Sequence, residues 1–234
     1  MKRLPATDGK SHRFRGAVRS PRLFIDAKMK LVGLTGGVGM GKTTVEGLLR
    51  ERGVPVVDTD VLARQVVAAG QPALVEIQRV FGPEVIAPDG QLLRAVMARR
   101  VFADPLARQQ LEAITHPRIR ELWREQVAAW RARGTALGVV AIPLLFEVGA
   151  EKEFDAVLCV ACTAVTQRQR LLARGWSEKQ IQQRIAAQWP IERKMERADY
   201  VVWNEGELTG LAPQLERILR LMPCANGEAA AADG

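Results

Sequence analysis

From Leu31 onward the chain alternates two hydrophobic patterns. Short, nearly continuous apolar runs occur at 31–35, 54–58, 139–143, 156–162 and 200–203. Runs this short, apolar at consecutive positions, predict strands buried on both faces of a parallel sheet. Between them apolar residues recur at helical spacing. Val45, Leu48 and Leu49 follow Thr44, and Gly53 supplies a stop. Asp104 followed by Pro105 reads as a cap and a first helical position. Pro117 is expected to open another helix, with Ile119, Leu122, Trp123, Val127 and Trp130 on one stripe and Gly134 closing it. Ser177 and Gln180 have capping-box spacing, with Ile181 and Ile185 following. No internal repeat is visible. Five strands alternating with helices predict an α/β fold with a doubly wound, five-stranded parallel sheet.

The stretch 61–133 is too long for a simple crossover and reads as helical throughout. It is expected to stand partly outside the sheet, as an insertion holding a second substrate. The expected division is a single domain over 29–224. Its core comprises 29–60, 135–163 and 199–224, with a helical acceptor subdomain at about 61–134 and a helical lid at about 164–198.

Charge changes the picture at one end. The net charge is +8, but residues 1–28 carry eight basic and two acidic side chains, leaving +2 over the other 206 residues. A nearly neutral body lacks the electrostatic footprint of a duplex binder, so nucleic acid is not expected as a partner. The basic leader has no apolar periodicity and no secretory core, and is expected to be a disordered extension; Met29 stands where a native start would. The tail at 225–234 is expected to fray. No run of about 18 apolar residues exists, so no membrane helix is expected. Three cysteines form no disulfide framework and point to the cytoplasm. Cys159 and Cys162 form a C-x-x-C inside a buried run with no second pair, which argues against zinc or redox chemistry.

The strongest chemical signal is Gly36-Gly37-Val38-Gly39-Met40-Gly41-Lys42-Thr43, which matches the phosphate-binding loop G-x-x-x-x-G-K-[ST]. A strand runs into it and a helix runs out. Glycines let successive N–H groups turn toward phosphate oxygens, and the helix N-terminus adds partial positive charge. Lys42 is expected at the β- and γ-phosphates, and the Thr43 hydroxyl at Mg²⁺; the loop alone leaves the class open, because switches, motors and kinases share it. Gly37, Gly39, Met40, Gly41 and Thr44 complete the nucleotide-binding set.

Asp58 and Asp60 follow the second strand, beside the loop in a doubly wound sheet. One carboxylate can accept or orient an acceptor hydroxyl, and the other can act through the metal's waters. Asp58 has a plainer alternative, capping the helix that contains Leu62. Glu147, late after the third strand, reads as a metal or substrate contact or, more plainly, a solvated loop charge. Eight basic residues between 163 and 198 suit a lid that clamps polyphosphate, or a solvated helix face. Trp123 and Trp130 read as packing residues, Trp176 and Trp189 as packing or base contacts.

These segments resemble the dephospho-CoA kinase family. The likeness runs from Met29 through the loop to Val45. It continues through Val57-Asp58-Thr59-Asp60-Val61-Leu62-Ala63-Arg64, His116-Pro117, Pro143-Leu144-Leu145-Phe146-Glu147, Gln167-Arg168-Gln169-Arg170, Arg184 with Gln188, Ala198-Asp199 and Asn204-Glu205-Gly206. Met40 departs from it, standing where a small residue is usual. The resemblance implies ATP- and Mg²⁺-dependent phosphorylation of the ribose 3′-hydroxyl of dephospho-CoA by a P-loop kinase fold, with a monomer as the default state. It implies Asp60 as base and Arg170 as the lid arginine facing the phosphates. Asp58, Arg64 and His116 would face the acceptor, and Asn204 the adenine. A buried, hydrogen-bonded structural role is the alternative for His116. A kinase for nucleosides or nucleoside monophosphates is the nearest alternative activity. A nucleotide switch would need an N-K-x-D element, which is absent.

Overall fold

A computed structural model describes residues 29–206 and 208–222; the leader and the tail at 225–234 lie outside the described residues. Five strands form one sheet: β1 (Lys30–Gly36), β2 (Val56–Asp58), β3 (Leu137–Ala141), β4 (Ala156–Ala161) and β5 (Tyr200–Trp203). Their order is β2-β3-β1-β4-β5, and every pairing is parallel. The doubly wound parallel sheet is therefore present as expected. β3 and β4 are buried along their whole length, because helices cover both faces.

On one face, α1 (Lys42–Glu51) and α9 (Leu208–Leu221) pack Val45, Leu49, Leu211 and Leu215 against Val32, Leu34, Val139 and Leu158. On the other, α5 (Pro105–Ala132) packs Trp123, Val127 and Trp130 against Met29, Leu31 and Val140. Nothing in the sequence pattern predicted α9, whose run contains Gly210 and Pro213. β3 begins two residues earlier than the apolar run at 139–143 suggests, with Gly138 inside it. A Cβ there would lie 2.6 Å from the Trp130 ring, so the glycine lets α5 approach the sheet.

The stretch after β2 is mostly helical, with α2 (Thr59–Gln65), α3 (Pro72–Phe81), α4 (Arg94–Ala103) and α5, but it is not helical throughout: between α3 and α4 lie a 3-10 turn at Pro83–Val85 and an antiparallel bridge of Ile86 with Leu92. It has its own core of Val66, Val67, Ile77, Phe81, Val85, Met97, Ala107 and Ile114. Asp104 caps α5 through the Leu106 N–H, with Pro105 next, matching the sequence. Pro117, however, opens no helix. It lies inside the 28-residue α5. An interior proline costs about 3 kcal/mol, and α5 sustains it by burying residues in both cores along its length. A proline has no N–H for the carbonyl of Ala113, and Ala113, His116 and Pro117 all border the large cavity described below.

Three helices follow β4: α6 (Ala164–Ala173), α7 (Glu178–Ala186) and α8 (Ile191–Arg197). Thr163 caps α6, and the Ser177–Gln180 capping box of α7 is formed reciprocally. Among the described residues, no helix is long and apolar enough to cross a membrane.

Candidate active site

The loop between β1 and α1 turns on glycine. Gly41 has φ +97°, and a Cβ there would fall 1.9 Å from Asn204 Nδ2. No side chain caps α1, which leaves its N-terminus to an anion. The Lys42 ammonium donates to the carbonyls of Gly36 at 2.9 Å and Gly37 at 3.2 Å. Burial holds its pKa down at about 8, helped by the like charge of Lys194 and opposed by Asp60 and Glu46. Thr43 is exposed on the first turn of α1. The Met40 side chain is buried with Ala161 and Cys162, and its N–H turns back to Gly37 at 3.3 Å.

β2 delivers the two aspartates. The Thr59 hydroxyl donates to the carbonyl of Ala141 at 2.9 Å, fixing the start of α2 against β3. Asp58 accepts the Asp60 N–H at 2.8 Å, so it does cap the helix containing Leu62. Asp60 has its pKa raised by burial and then by the negative charge of Asp58, with Lys42 and Arg64 pulling the other way. Asp60 and His116 both line a cavity of about 1040 Å³ formed by α2, α5 and the segment after β3. His116 is exposed to it rather than buried. Arg64 is exposed on α2 and is not among the lining residues. Deeper along α5, Arg120 and Arg124 also line the cavity, both paired to Glu153 at 3.1 and 2.6 Å.

A second cavity of about 230 Å³ lies beyond the loop, lined by Gly39, Gly41, Thr44, Arg170, Arg174 and Asn204. Asn204 is buried, and its Nδ2 donates to the carbonyl of Met40 at 2.9 Å. Arg170 Nη1 is buried with no hydrogen-bond partner among the described residues, an arrangement that an anion would relieve. Glu205 accepts from the Thr163 N–H and hydroxyl and from the Thr166 hydroxyl, fixing the start of the helix that carries Arg170. These bonds hold its carboxyl below the usual range.

The basic stretch divides in two. Arg170 and Arg174 face the second cavity. Arg168 pairs with Glu178, Arg197 with Glu151 and Lys194 with Glu147, while Arg184 and Arg193 lie over Trp176 and Trp189. Trp189 also stacks on Phe146. Glu147 is thus neither a solvated loop charge nor part of a metal cluster; none of three or more His, Cys, Asp or Glu exists among the described residues. Cys159 and Cys162 are free and buried, and burial pushes the Cys159 thiol up to about 11. Lys194, expected with the other basic residues on a phosphate clamp or a solvated face, is instead fully buried against Glu147, and sequence reasoning gave no individual role to Gln167 or Gln188. Gln188 accepts the Val38 N–H and Gln167 donates to the Val38 carbonyl. A buried lysine and two loop-binding glutamines have the same local pattern as solvated ones.

The family model for dephospho-CoA kinase matches residues 30–210. A dephospho-CoA kinase from Anaeromyxobacter dehalogenans is 50% identical over 192 residues, covering 82% of this chain and 91% of that protein. One from Bdellovibrio bacteriovorus is 43% identical, covering 82% and 96%. The crystal structure of TT1252 from Thermus thermophilus superposes with a TM-score of 0.73 at 38% identity, over 83% of this chain and 98% of that one. A Campylobacter jejuni dephospho-CoA kinase shares the fold, with a TM-score of 0.62 at 22% identity over 82% and 96% of the two chains.

Proposed function

The chain belongs to the dephospho-CoA kinase family, and on that premise we propose how its own residues divide the phosphorylation of the dephospho-CoA ribose 3′-hydroxyl by ATP. The observation that carries the reading is geometric: the glycine-turned loop at the end of β1 holds Lys42, while Asp60, at the start of α2 just after β2, lines the large cavity together with His116. One end of the reaction needs a cation and the other a proton acceptor.

ATP phosphates lie on the loop and the N-terminus of α1, with Gly37, Gly39, Met40, Gly41 and Thr44 shaping the cradle. Lys42 and Arg170 neutralise charge on the transferring group. Asn204 supports the nucleotide side by holding the loop at Met40. Dephospho-CoA occupies the large cavity, whose volume suits an acceptor longer than a nucleoside. Asp60 orients the 3′-hydroxyl and takes its proton; burial makes it a stronger base than an exposed carboxylate. His116, Arg64 and Asp58 contribute to the acceptor side. The monomer is the proposed working unit, and the cytoplasm the proposed location.

Mg²⁺ suits the oxygen donors here. Thr43 offers a hydroxyl and the nearby aspartates offer charge, a donor set suited to a metal held mainly by phosphates and water. Thr43 would hold it. Bound there, Mg²⁺ supplies charge neutralisation on the phosphate oxygens.

ADP release should be followed with dephospho-CoA, nucleosides and nucleoside monophosphates as acceptors. Turnover is expected with dephospho-CoA. Faster turnover with a nucleoside or its monophosphate would overturn the assignment.

A further inference from the structure

Lys194 is a lysine with no solvent exposure at all. It sits on α8, and its ammonium donates to the carbonyl of Pro143 at 2.9 Å and pairs with Glu147 Oε1 at 2.8 Å. The same Glu147 oxygen accepts the Trp189 N–H at 2.8 Å. The carbonyl of Pro143 also accepts the Thr35 hydroxyl at 3.2 Å, and Thr35 lies at the end of β1, just before the phosphate-binding loop. Gln188, next to Trp189, accepts the Val38 N–H at the middle of that loop. The contacts close a ring: from Thr35 to Pro143, Lys194 and Glu147, then through Trp189 and Gln188 back to Val38. Pro143, with its neighbours Ile142 and Leu144, forms one wall of the large cavity.

Stability alone does not account for this pair. A buried ion pair roughly breaks even against apolar residues of the same volume. Here Glu147 Oε2 is also buried without a hydrogen-bond partner among the described residues, a further cost. What the pair does is geometric. It ties the wall of the acceptor cavity to the helices that grip the donor loop.

We infer that Lys194 and Glu147 are positioning residues that hold the acceptor wall in register with the phosphate-binding loop, so that binding of donor and acceptor is coupled through them. The inference rests on the acceptor site proposed above. In-line transfer is sensitive to such register, because about 1 Å of misplacement can cost about 10²-fold in rate. Coupling through the ring is reciprocal: a nucleotide that orders the loop tightens the acceptor site, and the acceptor tightens the nucleotide site by the same factor.

The test uses full-length enzyme and the double variant Lys194→Met/Glu147→Gln. It replaces the charges together and keeps an acceptor for the Trp189 N–H. Calorimetry gives the affinity for dephospho-CoA with and without a non-hydrolysable ATP analogue and Mg²⁺. Wild type is expected to bind dephospho-CoA about fivefold or more tightly when the analogue is present. In the variant that factor should fall toward one and kcat should drop about tenfold or more. A merely structural pair would lower the melting temperature and leave the coupling factor intact. Absence of coupling in wild type, or its survival in the variant, overturns the inference. If the double variant does not fold, Glu147→Gln alone decides: reduced coupling supports the inference and unchanged coupling overturns it. Wild type that does not turn over dephospho-CoA fails the functional reading and the inference with it. Normal turnover with unchanged coupling in the variant fails the inference alone.

Discussion

Gln188 accepts a 2.9 Å hydrogen bond from the N–H of Val38, 150 residues earlier in the chain. Gln167 completes the grip by donating to the Val38 carbonyl at 2.8 Å. Both polar groups of one loop residue are therefore held from the segment after β4, by α6 and by the turn between α7 and α8. Replacing Gln188 by Leu leaves a part-buried amide without its acceptor, which costs about 1–3 kcal/mol. The loop then samples other shapes, and KM for ATP is expected to rise about tenfold. Steady-state kinetics at saturating acceptor would show it. An unchanged KM would mean that the bond does not shape the donor site.

Lys42→Ala should abolish most catalysis without unfolding the chain. A preorganised charge at the transferring group is worth about 10²–10³ in rate. Circular dichroism and turnover, measured together, check it; near-normal turnover in a folded variant would remove Lys42 from the mechanism.

The same residue sets an alkaline limit. With its pKa lowered to about 8 by burial and the charge of Lys194, the free enzyme loses this cation above that pH. kcat/KM for ATP, which reports the free enzyme, should fall on the alkaline side near pH 8. The stability effect has the opposite sense. Between about 8 and the ordinary value of 10.5, the unfolded chain holds a proton on Lys42 that the folded chain has released. Folding therefore becomes more favourable as pH rises through that window. A kcat/KM profile flat to pH 9.5 would contradict the lowered pKa.

Asp60 and Asp58 separate by substitution. Asp60→Asn keeps the shape but cannot take a proton, and turnover should fall by about 10² or more with ATP affinity unchanged. Asp58→Asn keeps a cap for α2 while removing charge, and should raise the Mg²⁺ concentration needed for half-maximal rate. Asp58→Ala should in addition lower stability by about 1 kcal/mol through loss of the cap. Full recovery of the Asp60 variant at high Mg²⁺, with none for Asp58→Asn, would mean that the two roles are reversed.

Pro117→Ala restores an N–H to the interior of α5. The gain in helix hydrogen bonding of about 3 kcal/mol, less about 0.4–1 kcal/mol of unfolded-state entropy released by removing proline, leaves about 2 kcal/mol of stabilisation. Melting temperature should rise by a few degrees, and KM for dephospho-CoA should change because Pro117 borders the cavity. A lower melting temperature would show that the helix is built around the proline.

What the sequence determined by itself was whatever depends on adjacent residues. The phosphate-binding loop was legible because one backbone turn needs its glycines, lysine and threonine in fixed order. The Ser177–Gln180 box and the Asp104–Pro105 cap were legible for the same reason, and the inner strands β1, β3 and β4 because burial on both faces leaves a continuous apolar run, whereas the edge strands β2 and β5 share the apolar run while staying partly exposed. Tertiary structure decided the rest. Pro117 and Gly138 break local rules, and only packing against two cores and the Trp130 ring keeps one in a helix and the other in a strand. Lys194 looks like any basic residue of a polar helix until Glu147 and the carbonyl of Pro143 close around it. The sharing of one cavity by Asp60 and His116 is set by how α5 packs against α2. Local patterns record the conformation of the backbone, whereas desolvation and pairing of charges depend on segments that meet only once the chain has folded.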